Sequence, residues 1–257
     1  MRVVLSPEYE AQKSMILDLI RKFDQEGEEC GPGKRNTVKV FPTGNPDINI
    51  KKFQIPIFLN RVAYRFFRKS KAQRSFEYGR FLLEKGFSTP DPIGYAEEPG
   101  GLLFKSSYYI CEHIYPDLVF NDLIDRPDFP QRETIVREFT RMTFRLHEHG
   151  IELLDHSPHN TLIIVKEPGK RYDFFLIDLN RMKFRKGMKM KTRLKNFSRV
   201  AITEEIAALI SEEYARLSGM PYQEVFDSVW SQARRFIRFK EKKELFKKKV
   251  GIAGSET

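Results

Sequence analysis

The pattern of apolar and polar positions predicts a β-hairpin in the second half of the chain. Residues 161–165 and 172–179 are two runs rich in β-branched, aromatic and other apolar side chains. They are separated by residues 166–170, a charged stretch that contains Pro168 and Gly169. Two such runs around a turn with Pro and Gly are typical of paired antiparallel strands.

A helix is predicted before this hairpin, and it should end near Gly150. Apolar residues recur there at spacings of four, three and four, which places them on one helical face. These residues are Ile135, Phe139, Met142 and Leu146.

The N-terminal part favours strands followed by one helix. Residues 37–41 and 47–51 alternate like strands on either side of a turn at residues 42–46. Residues 71–85 have a helical pattern that Gly86 should end. The sequence therefore predicts an α+β protein with a small β-rich first part and a mainly helical second part.

Length and composition indicate one globular unit with two lobes. The chain has 257 residues, which exceeds the usual size of a domain with a single core. Hydrophobic residues make up 40% of it, a share typical of a globular protein and not of a disordered one. No run approaches the roughly 18–20 apolar residues of a membrane span, and the start lacks the apolar segment of a signal peptide, so we expect a cytoplasmic protein. Cys30 and Cys111 are too few for a disulfide framework and are expected to be free thiols.

Two polar strings border the predicted hairpin and carry the candidate chemistry. Asp155 and Asn160 lie five positions apart, and Asp178 follows the apolar residues 174–177. In protein-kinase-like enzymes, an Asp takes the proton of the acceptor hydroxyl and an Asn five positions later binds magnesium. A second Asp, after a hairpin, binds the metals that bridge the ATP phosphates. The order and spacing therefore predict Asp155 as the catalytic base and Asn160 and Asp178 as magnesium ligands.

Such a site also needs a cation on a central strand for the ATP phosphates and a helical Glu to hold it. Lys51 is our candidate for the cation, and Lys39 is its rival. We favour Lys51 because residues 37–41 resemble the preceding strand of the hairpin. Glu77 is the candidate partner of the lysine, although Glu84 is also available and either could be a solvated surface carboxylate.

The glycine-rich loop that covers the ATP phosphates in protein kinases has only a weak counterpart. Gly31 and Gly33 lie between two predicted strands, and glycines there would allow close backbone approach and positive φ. By position we assign Gly31 and Gly33 to ATP binding, together with Lys51 and Glu112.

Three positions depart from the protein-kinase pattern. Leu153 replaces the His that braces the catalytic loop, and Ser157 replaces a Lys. Asn180 stands where a D-F-G turn has its glycine, and no A-P-E string follows. These departures favour a small or lipid-linked acceptor over a peptide.

The chain resembles the Kdo and heptose lipopolysaccharide kinases, which are small members of the protein-kinase-like superfamily. Besides the two polar strings, the resemblance rests on residues 50–56, 68–77, 86–95 and 107–109. It implies a two-lobed protein-kinase-like fold, with an N-lobe at residues 1–112 and a C-lobe at residues 113–257. It also implies ATP- and magnesium-dependent phosphorylation of a lipopolysaccharide core sugar.

The net charge of +10 suggests an anionic partner. One basic run, residues 181–195, directly follows the predicted metal-binding turn, and it supplies candidates for binding an anionic glycolipid or sugar acceptor: Arg181, Lys183, Arg185 and Lys186. A second cluster at residues 234–249 could hold the protein at the cytoplasmic face of an anionic membrane. A solvated basic helix is the alternative.

Other functions remain open at this stage. An atypical protein kinase would transfer phosphate to Ser or Thr, and an ATP-binding pseudokinase is favoured by Leu153. A nucleic-acid-binding protein would use the basic charge, but no known motif supports it. Four of the five histidines lie between residues 147 and 159, without the further ligands that a zinc site would need. The sequence leaves the oligomeric state and the acceptor sugar undetermined.

Overall fold

The computed structural model describes residues 1–31, 36–44, 46–53, 69–100 and 103–249. The chain forms two compact units. The first comprises Met1–Pro116 together with Phe175–Asn180, and the second comprises Asp117–Phe174 together with Arg181–Thr257. The predicted lobe ranges, 1–112 and 113–257, stay a prediction.

The first unit is built on an antiparallel sheet. Its strands are β1 (Arg2–Leu5), β2 (Glu28–Glu29), β3 (Asn36–Phe41), β4 (Ile48–Phe53), β5 (Pro92–Gly100) and β6 (Leu103–Glu112). Within the described residues their order is β1-β5-β6-β4-β3-β2, with every neighbouring pair antiparallel. The helices are α1 (Lys13–Arg21) and α2 (Lys71–Glu84), with a 3-10 helix at Pro7–Gln12. The predicted β3–β4 hairpin and the predicted helix at 71–85 are confirmed.

The two faces of β4 have different environments, because successive side chains of a strand point to opposite faces. Ile48 and Ile50 pack with apolar residues of α1, β3, β5 and β6. Phe53 points to the other face and packs with residues of α2, β5 and β6. Lys51 shares the face of Phe53, so the strand holds this cation on the α2 side of the sheet.

The segment Phe175–Asn180 belongs to the first unit although it follows the hairpin in sequence. The Leu176 amide donates to the Ser88 carbonyl at 3.0 Å, and the Thr89 hydroxyl donates to the Leu176 carbonyl at 2.7 Å. Thr89 is buried. These bonds fix the backbone directly before Asp178.

The second unit is mainly helical. Its helices are α3 (Asp122–Asp125), α4 (Arg132–Glu148), α5 (Met190–Asn196), α6 (Glu204–Ser218) and α7 (Tyr222–Lys249), with 3-10 helices at Pro158–Asn160 and Phe197–Arg199. Its strands are β7 (Leu118–Val119), β8 (Ile151–Leu153), β9 (Thr161–Glu167), β10 (Arg171–Leu176) and β11 (Met182–Phe184), in the orders β10-β9-β7 and β11-β8. The predicted hairpin and the helix before it are confirmed.

The core of the second unit lies between its long helices and the β9–β10 hairpin. Phe139, Phe197 and Tyr214 are among its largest fully buried side chains.

No helix in the described part of the chain is both long and apolar enough to cross a membrane. Both cysteines are free thiols, as predicted; Cys30 is exposed and Cys111 is buried.

Gly150 connects α4 to β8 through a position that only glycine fits. Its φ is +69°, in the left-handed region, and a Cβ there would lie 2.0 Å from the carbonyl oxygen of Arg185. The close approach arises because the Arg185 amide donates to the Gly150 carbonyl at 2.9 Å. Gly150 therefore fixes where β8, and with it the loop of Asp155, begins.

We expect Gly150→Ala to lower the free energy of unfolding by about 3 kcal/mol, because it adds both backbone strain and a clash with a carbonyl. Urea denaturation would measure the change. Gly187→Ala is the control, since a Cβ there would meet no described atom within 4 Å. Equal stability of the two variants would contradict the assignment.

Candidate active site

Lys51 and Asp178 form an ion pair in the first unit. Lys51 Nζ lies 2.6 Å from Asp178 Oδ1, across 127 positions of sequence. The side chains are 18% and 27% exposed. Lys51 Nζ also lies 5.4 Å from the centre of the Phe53 ring. The strand β4 and the segment after the hairpin thus bring together a cation and a carboxylate that were predicted separately.

Asp178 has an unusual backbone. Its φ is +58°, which is uncommon for a residue other than glycine and costs on the order of 1 kcal/mol. The Asn180 amide group donates to Asp178 Oδ1 at 2.8 Å, so this one oxygen accepts from both Asn180 and Lys51. Strained backbones of this kind cluster at functional sites, where surrounding contacts maintain them.

Lys39, the rival cation, has a different environment. It is buried, its Nζ donates to the Glu26 carbonyl at 3.0 Å, and it lies 5.5 Å from the centre of the Phe23 ring. Cross-strand pairing places it beside Ile50, on the opposite face from Lys51. The geometry therefore favours Lys51 as the cation that could contact phosphate.

Glu77 lies in α2, as predicted, but its carboxylate contacts other groups. Lys69 Nζ lies 2.6 Å from Glu77 Oε2, and the Gln73 side chain donates to Glu77 Oε1 at 3.0 Å. The structure thus pairs Lys51 with Asp178 and Glu77 with Lys69, in place of the expected pair of Lys51 with Glu77. The cause is local: Gln73 is one helical turn before Glu77, and Lys69 lies two residues before the first residue of the helix.

The other residues predicted to bind ATP are also in the first unit. Gly31 has a φ of +92° and lies between β2 and β3. Gly33 lies outside the described residues. Glu112, at the end of β6, accepts from the Tyr9 hydroxyl at 2.7 Å. Burial, followed by this hydrogen bond, raises the pKa of Tyr9. The roles of these residues in ATP binding stay predictions.

Asp155 lies in the second unit, between two arginines. Arg181 Nη1 lies 3.1 Å from Asp155 Oδ2, and Arg199 Nη1 forms an ion pair with Asp155 Oδ1. Asp155 itself is 21% exposed. Each carboxylate oxygen therefore has a cationic partner, which orients the group.

Asn160 is held by the same loop. Its side-chain amide donates to the Asp155 carbonyl at 2.9 Å, and the Ser157 amide donates to that carbonyl at 2.8 Å. The Asn160 amide nitrogen is thereby used within the loop, and its oxygen remains the atom suited to a metal ion. The structure brings Asp155 and Asn160 together as the spacing predicted.

A chain of four residues braces the loop where protein kinases use the His that Leu153 replaces. The Asn196 amide group donates to the Leu153 carbonyl at 2.6 Å. Since Asn196 then offers only its oxygen, His147 Nε2 must donate to it, across 3.1 Å. His147 Nδ1 accepts from the Tyr214 hydroxyl at 2.9 Å. Helices α4, α5 and α6 together supply the missing brace.

The histidines near the loop pack within the protein. His156 is buried between Phe139 and Phe197, with ring centres 5.3 and 6.0 Å away. Burial lowers the pKa of His147 to about 4 and that of His156 to about 3. The described residues contain no group of three or more His, Cys, Asp or Glu arranged to hold a metal ion.

The basic residues predicted to bind the acceptor differ in their contacts. Arg181 pairs with Asp155, and Arg185 pairs with Glu152 at 2.6 Å. Lys183 and Lys186 are exposed. Arg181 therefore lies beside the candidate base. Lys183 belongs to β11, and Arg185 and Lys186 follow that strand.

Two residues at this site escaped sequence reasoning. Asn196 has no motif around it, and its role depends on which carbonyl it reaches. Arg199 follows the basic run 181–195 so closely that charge alone does not separate it from its neighbours. An arginine shortly after a basic run could have been considered as a partner of Asp155, but the spacing carries no signal for it.

We expect the two buried histidines to make stability depend on pH. Their pKa values in the folded protein lie below the value of about 6.5 expected in the unfolded chain. The unfolded chain therefore binds more protons as pH falls below about 6.5, so stability is full above that pH and decreases toward pH 4. The slope should be on the order of 1 kcal/mol per pH unit for each histidine. Urea denaturation between pH 7 and pH 5 measures it.

His156→Phe should remove one of the two contributions and flatten this dependence, while His159→Gln, at an exposed position, should leave it unchanged. An identical pH dependence in His156→Phe and the wild type would show that His156 is not held neutral in the core.

Comparison with known proteins gives a match in structure. No protein-family model matches the chain, and no curated protein matches it significantly in sequence. A solved structure of WaaP in complex with acyl carrier protein matches with a TM-score of 0.62 and 17% identity, over 94% of this chain and 99% of that chain. Two structures of WbdD, one described as a bifunctional kinase-methyltransferase, have TM-scores of 0.47 and 0.44 at 14% and 13% identity. They cover 82% and 77% of this chain and 46% and 42% of those chains, too weakly to support an inference.

The match to the WaaP structure extends over nearly the whole of both chains, and at this identity it concerns the fold. An antiparallel sheet in the first unit and helices in the second are the features predicted from the sequence. The fold implied by the sequence resemblance is therefore confirmed. The chain therefore has an α+β, protein-kinase-like fold, which it shares with the WaaP structure.

Proposed function

We propose that the protein is an ATP- and magnesium-dependent phosphotransferase that phosphorylates a hydroxyl of a lipopolysaccharide core sugar, Kdo or heptose. The observation that carries the proposal is the ion pair of Lys51 with Asp178. The two residues were selected on separate grounds, one as a strand cation and one as a metal ligand. Their contact at 2.6 Å places a cation suited to phosphate beside a carboxylate suited to a metal ion, which supports the proposal.

Each member of this pair has a use when a nucleotide binds. A phosphate oxygen can replace the carboxylate as the partner of Lys51, and a metal ion can replace Lys51 as the partner of Asp178. Glu77 is then the proposed second partner that holds Lys51 in position, on the same side of the sheet. The pair keeps both charges compensated until the ligand arrives.

The available donors fit magnesium. Asp178 offers a carboxylate and Asn160 offers an amide oxygen, and magnesium prefers oxygen ligands from one or two such groups together with substrate phosphates. Bound there, the ion would neutralise charge on the phosphates during transfer. Gly31, Gly33 and Glu112 are proposed to contribute to the ATP site.

Asp155 is the proposed catalytic base. It would accept the proton of the sugar hydroxyl as the hydroxyl oxygen forms its bond to the γ-phosphorus and the bond to the departing ADP breaks. Arg181 and Arg199 orient its carboxylate, and the contacts of Leu153 and Asn160 fix the loop that carries it. The hydrogen bond from Asn196 supports the proposal, because it holds the chain at the position where Leu153 replaces a His.

The lipopolysaccharide acceptor is proposed from the sequence resemblance and is compatible with the shared fold. The basic surface suits an anionic glycolipid, and we propose that the protein works in the cytoplasm, in peripheral contact with the inner membrane. The end of α7 supports such contact, since Phe239, Leu245 and Phe246 are exposed among many lysines. Failure to bind vesicles of phosphatidylglycerol would refute this part of the proposal.

The competing functions make different demands on the same residues. An atypical protein kinase would use the Lys51 and Asp155 groups on a peptide hydroxyl. A pseudokinase would bind ATP without forming ADP. A nucleic-acid-binding protein would be indifferent to both groups. The contacts of Asp155 with Arg181 and Arg199 favour a kinase-like site over a nucleic-acid-binding function, which would not need them.

We expect transfer of label from ATP labelled at the γ-phosphate to Kdo-lipid A in the presence of magnesium. Lys51→Met, Asp155→Asn and Asp178→Asn should each lower the rate by roughly 100-fold or more, because each removes a group that acts in the transfer. Lys52→Met is the matched control: Lys52 is the next residue of β4 and pairs with Asp24 instead.

The proposal fails if wild-type protein transfers no label to a lipopolysaccharide acceptor, or if Lys51→Met and Lys52→Met are equally active. Transfer to a peptide but not to Kdo-lipid A would establish the protein-kinase alternative.

A further inference from the structure

A cavity of about 650 Å³ lies in the second unit beside the loop that carries Asp155. Ser157 of that loop lines one side, and Phe236 and Lys240 of α7 line another. Arg199, the ion-pair partner of Asp155, forms part of the wall. A molecule in this cavity could therefore contact Arg199, which itself pairs with the proposed catalytic base, Asp155.

The lining combines the groups that bind sugars. Phe236 and Ile237 offer apolar surface against which the C–H face of a sugar ring can pack. Glu241 and Glu244 offer carboxylate oxygens that accept hydrogen bonds from hydroxyl groups. Glu244 is itself compensated by Lys247 at 2.7 Å. The volume is within the range of about 300–1,000 Å³ that is usual for small-molecule sites.

Arg199 is placed to bind two anions. One of its nitrogens pairs with Asp155, and the guanidinium lies 5.3 Å from the centre of the Phe236 ring. The side chain is 35% exposed. Guanidinium has five N–H donors in a planar fork, so donors remain for a carboxylate or phosphate in the cavity. Lys240 adds a second cation to the lining.

We propose that this cavity binds the acceptor sugar and that Arg199 and Lys240 bind its anionic group. The inference rests on the proposed function and names the acceptor class as an acidic or phosphorylated sugar. By holding the anionic group of the sugar and Asp155 at the same time, Arg199 sets the distance between the sugar and the base. Arg199 is thus a residue for acceptor specificity, distinct from the basic run 181–195 at which the sequence pointed.

The test measures binding of Kdo and of its methyl ester to the full-length protein by calorimetry, without ATP. The wild type should bind Kdo roughly 10- to 100-fold more tightly than the ester, because the ester lacks the charge that Arg199 and Lys240 bind. Arg199→Gln and Lys240→Gln should each reduce this preference. Lys242→Gln, an equal change of charge at an exposed position two residues further along α7, should preserve it.

Inorganic phosphate added as a competitor distinguishes the two sources of negative charge. If Kdo and its ester bind equally and phosphate displaces the ester, the anionic group that Arg199 and Lys240 bind is the phosphate of a phosphorylated sugar. Without displacement, equal binding overturns the proposal, as does a wild type that binds neither ligand or a Lys240→Gln variant that keeps the full preference.

The label-transfer assay keeps this inference separate from the kinase proposal. Lys240 makes no contact with Asp155 within the described residues, so Lys240→Gln should raise the KM for Kdo-lipid A and leave the KM for ATP unchanged. An unchanged acceptor KM with normal transfer would refute the cavity while leaving the kinase intact. Selective binding of Kdo without any transfer would refute the kinase and retain the cavity as a site for acidic sugars.

Discussion

The ion pair of Lys51 and Asp178 is the interaction on which the account of the first unit depends. It compensates a half-buried cation with a carboxylate from a distant part of the sequence, and it coincides with a strained backbone at Asp178. Removing either group would leave the other charge without compensation in a poorly solvated position, which is costly. In the proposed function, a ligand that carries both negative phosphates and a metal ion would supply each residue with a new partner. The proposal thus requires that this ligand replace the ion pair and compensate both charges.

In the second unit, the contacts of interest are those that position the carboxylate of Asp155. Two arginines hold Asp155, and the loop around it is fixed by backbone hydrogen bonds and by Asn196. The brace passes through a neutral, buried His147, whose environment disfavours the charged imidazole. The structure therefore replaces one expected histidine, absent at position 153, with a network drawn from three helices. A cavity beside Arg199 lies next to this carboxylate in the same unit, and it is the proposed site of the acceptor sugar.

Sequence reasoning was most successful where local pattern decides the structure. The hairpin at 161–176, the helix that ends before Gly150 and the spacing of Asp155 and Asn160 depend on residues close together in the chain, and all were found. The preference for Lys51 over Lys39 rested on residues 37–41 being the preceding strand of a hairpin, and the structure has that hairpin. Two residues that contact the loop were not found, because Asn196 and Arg199 reach it from 40 or more residues away. The pairing of Glu77 with Lys69 depends on side-chain positions at the start of α2, which a helical pattern does not specify. No periodicity or motif encodes such contacts.

The central claim is that Asp178 and Lys51 form a site for ATP and magnesium, and ATP binding with and without magnesium tests it most directly. Calorimetric titration of the wild type should show at least about tenfold tighter binding when magnesium is present, since the metal joins the phosphates to Asp178. Asp178→Asn should lose that dependence on magnesium. Asp173→Asn, a change of another carboxylate in β10 five residues before Asp178, should keep it. A wild type that binds no ATP, or an Asp178→Asn variant that responds to magnesium as the wild type does, would contradict the account.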